Sequence, residues 1–140
     1  MTFATAPAPI VVDASVAVEL VVDGGAELAT AWAEWIDGGR LIVAPSLLWV
    51  EVANVLLRGR GLPASAVSLR LEGLEAAGLE TTDRGARGAR AATDLAARHA
   101  LTVYDAAYLW LAIDVDGELA TRDRRLIEAA QSEGVALAIG

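Results

Sequence analysis

Apolar residues recur along this chain in two periods, and their alternation sets the order of elements. Ile10-Val11-Val12-Asp13 is a short β-branched run of the kind that forms a strand buried on both faces of a parallel sheet, with Asp13 at its carboxyl end. Residues 14–22 continue with helical spacing, Gly24-Gly25 breaks it, and residues 26–36 predict a second helical stretch that Gly38-Gly39 closes. Leu41-Ile42-Val43-Ala44 predicts a second buried strand, and Pro45-Ser46 opens an apolar helix running to about Leu57. Beyond a turn at 58–63, Ser65 is placed to cap a helix ending near Gly78, and Leu79-Glu80-Thr81-Thr82 predicts a third strand. Residues 83–100 are Arg- and Ala-rich and helical beyond their glycines. Asp105 leads a helix over 106–112, residues 118–121 form a fourth strand, 124–132 a helix and 135–139 a last strand.

Strands separated by helices specify the α/β class, with a parallel sheet covered on both faces. The chain shows no internal repeat, low-complexity tract or interdomain linker, and 140 residues suit one domain. Residues 10–140 read as that domain and residues 1–9, with their Ala, Thr and Pro, as a loose tail.

Composition narrows the chemistry. With 55% hydrophobic and 21% charged residues the chain can bury a substantial core. It has no Cys, which removes disulfides, thiolate nucleophiles and Cys-based zinc sites and suits a reducing compartment, so the cytoplasm is the expected location. No Arg or Lys precedes the apolar stretch at 10–22, and Asp13 and Glu19 interrupt it, so neither an export signal nor a membrane span is expected. All 11 basic residues are Arg. The absence of Lys excludes a GxxxxGK[ST] phosphate loop, a receiver-type phosphorylation site and Schiff-base chemistry.

Ligands of open parallel sheets bind beyond the carboxyl ends of the strands. Asp13 ends the first strand, Asp123 follows the fourth by two residues, Glu51 lies within the helix after the second, and Asp105 begins another helix. Four converging carboxylates without His or Cys repel one another unless a cation joins them, and oxygen ligands suit Mg²⁺ or Mn²⁺. Such an ion can deprotonate a water for attack on a phosphodiester. Each acid also has a structural reading: Asp13 as a strand end or cap, Asp105 and Asp123 as helix N-caps. Glu51 is hardest to explain that way, because Leu47, Leu48, Val50, Val52, Val55 and Leu56 surround it and an unpaired carboxylate among apolar side chains is costly.

Other residues carry weaker readings. Ser15, Asn54 and Thr121 are candidates to orient the acids or hold metal-bound water, or else serve as caps and local backbone partners. The lone His99 is assigned no role, and Trp32, Trp35, Trp49 and Trp110 read as core. Arg84, Arg87, Arg90 and Arg98 share about a third of a helix circumference, either as a phosphate-facing patch or as a solvated face laced with salt bridges.

Four segments together resemble a known family. Val12-Asp13-Ala14-Ser15-Val16 resembles the opening hhDxS motif of PIN domains, and residues 45–54, Pro-Ser-Leu-Leu-Trp-Val-Glu-Val-Ala-Asn, resemble the helix that carries their Glu. Residues 104–112, Tyr-Asp-Ala-Ala-Tyr-Leu-Trp-Leu-Ala, are similar to their third acidic motif, and residues 120–126, Ala-Thr-Arg-Asp-Arg-Arg-Leu, to the closing TxD motif. The resemblance spans Ile10 to Gly140 in family order, and its length and wording look most like VapC-type toxins of bacterial toxin–antitoxin pairs. It implies an α/β/α sandwich with a five-stranded parallel sheet in the order 3-2-1-4-5. It also implies an Mg²⁺- or Mn²⁺-dependent endoribonuclease with Asp13, Glu51, Asp105 and Asp123 as catalytic, metal-holding residues, frequent homodimers and a small inhibitory antitoxin. Arg122, Arg124 and Arg125, flanking Asp123, then become candidates for positioning RNA.

The net charge of −8 opposes a broad phosphate-binding surface. Setting the four acids aside leaves 15 carboxylates against 11 Arg, and a bound divalent ion offsets part of the rest. Two rivals stand beside the nuclease reading. One is a non-catalytic PIN-fold interaction module; the other, a haloacid-dehalogenase-like phosphatase, requires a second Asp two residues after the first and normally a Lys, whereas position 15 is Ser and Lys is absent.

Overall fold

The structure, a computed structural model, describes residues 6–23 and 25–139. Residues 1–5 of the expected tail, Gly24 of the expected break and Gly140 lie outside the described residues. Among the described residues four short strands, β1 (Ile10–Val12), β2 (Ile42–Ala44), β3 (Leu79–Thr81) and β4 (Glu118–Ala120), form one parallel sheet in the order β3-β2-β1-β4. The central β1 is wholly buried, as its unbroken Ile-Val-Val run requires.

The helices are α1 (Ala14–Val18), α2 (Ala26–Asp37), α3 (Leu47–Asn54), α4 (Ala64–Ala76), α5 (Gly85–His99), α6 (Val103–Asp114) and α7 (Arg124–Ser132). α1 and α3 pack together with α4 against α3, while α6 packs on β1 and β4 with α5 and α7 beside it, completing the α/β/α layers. Both α1 and α3 continue into π-helical turns, Glu19–Asp23 and Val55–Gly59, so the stretches expected at 14–22 and 47–57 are helical but change winding midway. Such wider turns recur at functional sites.

Three expectations are corrected. The sheet has four strands, not five: the segment expected as the last strand meets β4 at a single parallel bridge, Leu119 to Leu137, with Leu119 N–H bonded to Ala136 (2.9 Å) and Ala138 N–H to Leu119 (2.9 Å). It lies at an edge, half-exposed, and its alternating Ala residues offer little side-chain area to extend the ladder. Ser65 is not the cap of α4, which begins one residue earlier, behind Pro63, whose fixed φ suits a helix start. Asp105 does not lead its helix: α6 starts at Val103, and Thr102 caps it by accepting the Asp105 amide N–H at 3.0 Å.

Trp32 and Trp35 are buried, and Trp32 Nε1 donates to the Ala77 carbonyl at 2.9 Å, whereas Trp49 and Trp110 are only partly covered. Gly88 lets α5 approach α6, since a Cβ there would lie 3.0 Å from the Trp110 ring. Ala8 and Pro9 offer carbonyls to Arg40 Nε (2.8 Å) and Glu118 N–H (2.9 Å), which ties the chain to β4 just before β1 begins.

Candidate active site

The parallel sheet directs the carboxyl ends of β1 and β4 to one rim, and the chain leaves each strand through a polar residue. Asp13, extended at φ −95° and ψ 178°, caps α1: its Oδ1 accepts the Val16 amide N–H (3.2 Å) and the Ser15 hydroxyl (2.6 Å), and its Oδ2 accepts the Thr121 hydroxyl. Both hydroxyls are also acceptors. Ser15 Oγ takes the Arg122 amide N–H (3.0 Å), and Thr121 Oγ1 takes that of Asp123 (3.0 Å). Ser15 and Thr121 therefore join the end of β1 to the loop after β4 and fix the Asp13 carboxylate between them. Asp13 is 6% exposed, and burial pushes its carboxyl above the usual 3.8; the Ser15, Thr121 and Val16 hydrogen bonds oppose that shift, and the Asp123 charge adds to it.

Glu51 sits half-buried in α3 beside the fully buried Leu48 and Val52. Its Oε1 accepts the Tyr108 hydroxyl at 2.8 Å. Burial raises its carboxyl above the usual 4.5, the Tyr108 bond opposes the rise, and the charges of Asp105 and Asp13 add to it. Tyr108 itself is pushed far above the ordinary phenol range by burial and then by Glu51, so it stays a protonated donor. Asp105 lies one turn before Tyr108 on α6, with its capping duty taken over by Thr102. Asp123 caps α7 with Oδ1, which accepts the Arg125 amide (2.9 Å) and more distantly that of Leu126 (3.5 Å).

The oxygens left over decide what this arrangement can hold. A carboxylate offers about four lone-pair directions, and Asp13 uses three. Glu51 Oε2, Asp123 Oδ2 and both oxygens of Asp105 accept no hydrogen bond among the described residues. No buried side-chain N or O atom among those residues lacks a partner, so these oxygens reach solvent. An accessible, all-oxygen, mutually repelling set fits a hard divalent cation. The acids are linked in sequence by charge, Asp123 acting on Asp13 and both Asp13 and Asp105 on Glu51, and do not form a closed cage: among the described residues no three His, Cys, Asp or Glu side chains already enclose one point.

The expected supporting residues divide. Ser15 and Thr121 hold Asp13, whereas Asn54 is exposed at the end of α3 and bonds to none of the four acids. Arg122 is engaged by Glu19 in the π-helical turn (3.1 Å), while Arg124 and Arg125 form no ion pair among the described residues. Arg84 and Arg87 both pair with Asp114 (2.8 and 2.9 Å) and Arg98 pairs with Glu133 (2.8 Å), so three of the four arginines of the stretch from Arg84 to Arg98 serve internal bridges. His99 lies 2.6 Å from Glu133 and helps close α5 on the end of α7. Tyr108 and Glu19 carry no role in the sequence motifs alone. The signal for Tyr108 was available, since it falls one helical turn after Asp105 and a buried tyrosine hydroxyl demands a partner.

A parallel α/β sheet with acidic oxygens gathered beyond its carboxyl ends defines a class of proteins suited to hold a hard cation at the sheet rim. The chain belongs to the PIN domain family, whose model matches residues 10–131. That fold is in general one of metal-dependent nucleases acting on RNA or DNA, and the membership sets the phosphatase reading aside. Among solved structures the chain is similar to the PAE2754 protein of Pyrobaculum aerophilum, with a TM-score of 0.66 at 22% identity, over 87% of this chain and 84% of that one. That likeness supports the fold. A search of curated proteins returned no match. Among the described residues no helix is long and apolar enough to cross a membrane.

Proposed function

We propose that this chain is an endoribonuclease in which Asp13, Glu51, Asp105 and Asp123 hold Mg²⁺ or Mn²⁺. The observation that carries the reading is the set of unbonded, solvent-reached carboxylate oxygens linked through Asp13 and Glu51, on which the charges of Asp123, Asp105 and Asp13 act. When bound, the ion supplies an activated water and a counter-charge for the phosphate. Asp13, locked by Ser15 and Thr121, would hold the ion with Glu51 and Asp105, which reach it from separate helices. Asp123 contributes through the oxygen not spent on its cap. Arg124 and Arg125, which form no ion pair among the described residues, bind the RNA backbone on the α7 side, and Arg122 joins them when Glu19 releases it.

The motif wording further supports a toxin of a toxin–antitoxin pair, acting in the cytoplasm as a homodimer and restrained by a small antitoxin, with residues 10–140 as one domain. The test is cleavage of RNA by the pure chain with Mn²⁺ or Mg²⁺, with and without chelator, beside Asp13→Asn. Cleavage confined to the wild type with metal is expected. Equal cleavage in every sample overturns the reading, and the absence of both cleavage and divalent-ion binding leaves the non-catalytic module.

A further inference from the structure

We infer that Tyr108 is a positioning residue for the metal site: its hydroxyl locks one oxygen of Glu51 and thereby turns the other toward the cation. The inference rests on the metal-dependent reading above and concerns a residue that reading does not require. Tyr108 is 1% exposed, so its ring is clamped by the core of α6, and its hydroxyl leaves that core only to meet Glu51 Oε1 at 2.8 Å. The bond joins α6 to α3 across 57 positions of sequence. Glu51 has no second partner among the described residues, its Oε2 reaches solvent, and the charges of Asp105 and Asp13 act on its carboxylate.

A glutamate side chain has three rotatable bonds, and without a fixed partner its carboxylate samples several orientations. One hydrogen bond from a rigid phenol removes that freedom before the ion arrives. Asp105, one turn earlier on the same face of α6, receives its orientation from the same helix, so Tyr108 also sets the spacing of α6 and α3 on which the Glu51–Asp105 pair depends. Partners of this type typically change metal affinity about 10- to 100-fold when removed.

The test is Tyr108→Phe, which keeps the ring in the core and deletes only the hydroxyl. Free Mn²⁺ is followed by electron paramagnetic resonance during titration of the wild type, Tyr108→Phe and Glu51→Gln, with thermal unfolding recorded for each. The expected result for Tyr108→Phe is Mn²⁺ binding weakened about 10-fold or more. Its RNA cleavage should recover at saturating Mn²⁺, so that the metal requirement changes more than the maximal rate. Affinity equal to wild type in Tyr108→Phe, while Glu51→Gln loses binding, overturns the role of Tyr108 and leaves the metal site standing. A wild type that binds no Mn²⁺ overturns the underlying reading and this inference with it. Should Tyr108→Phe unfold, a variant that keeps Tyr108 decides: with fluorotyrosine incorporated and Tyr104→Phe leaving Tyr108 as the sole tyrosine, Mg²⁺ should shift its fluorine resonance, and an unmoved resonance contradicts the assignment.

Discussion

At the scale of single residues, the site trades stability for readiness. Burial holds Asp13 and Glu51 above the ordinary carboxylate range, so the folded, metal-free chain takes up protons on them before the unfolded chain does. Stability contributed by these two groups therefore falls as pH rises through the window between their ordinary and their raised values. Asp13→Asn should abolish cleavage and flatten that part of the pH dependence of metal-free unfolding; an unchanged slope counters the burial argument. Glu133 runs the other way, lowered first by His99 and then by Arg98, so its contribution is present above the ordinary range and lost as pH falls through its lowered value. Three of the four candidate acids stood out in the sequence because strand ends and an apolar helix made their positions conspicuous. Asp105 was legible as an acid but not as a freed one, because a short polar residue three positions earlier, Thr102, took its cap. The need of Tyr108 for a partner was legible, but not that the partner is Glu51, since local periodicity carries no information about a residue on another helix.

At the scale of elements, the order of strands and helices followed from where β-branched runs end and helical spacing begins, and the departures fall at boundaries and edges. The expected fifth strand has the right residues, yet a strand exists only through its pairing, and β4 answers it at Leu119 alone. The ends of helices show the same dependence on context. α5 closes at Ala100 in the left-handed region, φ 54°, with its N–H returned to Ala96. A residue with a Cβ pays for that conformation where glycine does not, so Ala100→Gly should stabilise the chain by about 0.5–1 kcal/mol, read as a higher midpoint in denaturant at unchanged slope. A lower midpoint contradicts the strain argument. The π-helical turns after α1 and α3 lie on the two elements that begin at Asp13 and carry Glu51, and one of them places Glu19 against Arg122. Glu19→Gln should release Arg122 and tighten RNA binding without changing Mn²⁺ affinity; unchanged RNA affinity removes Arg122 from the binding surface.

At the scale of the whole molecule, an acidic chain proposed to act on a polyanion needs a cation to reconcile the two. Part of the net charge of −8 comes from the four candidate acids, so an ion held by them would bear on folding as well as on chemistry. Mn²⁺ at about 100 times its dissociation constant should stabilise the folded state by about 2.7 kcal/mol and raise the melting temperature by roughly 5–10 °C. Asp13→Asn should show a much smaller rise. The most direct measurement is the chemistry of the ends left on a defined single-stranded RNA cut by the pure chain. Water-mediated attack predicts ordinary phosphate and hydroxyl termini that appear with Mn²⁺, vanish with chelator and are absent with Asp13→Asn. Cyclic phosphate termini, or cutting that survives the chelator, contradict the account.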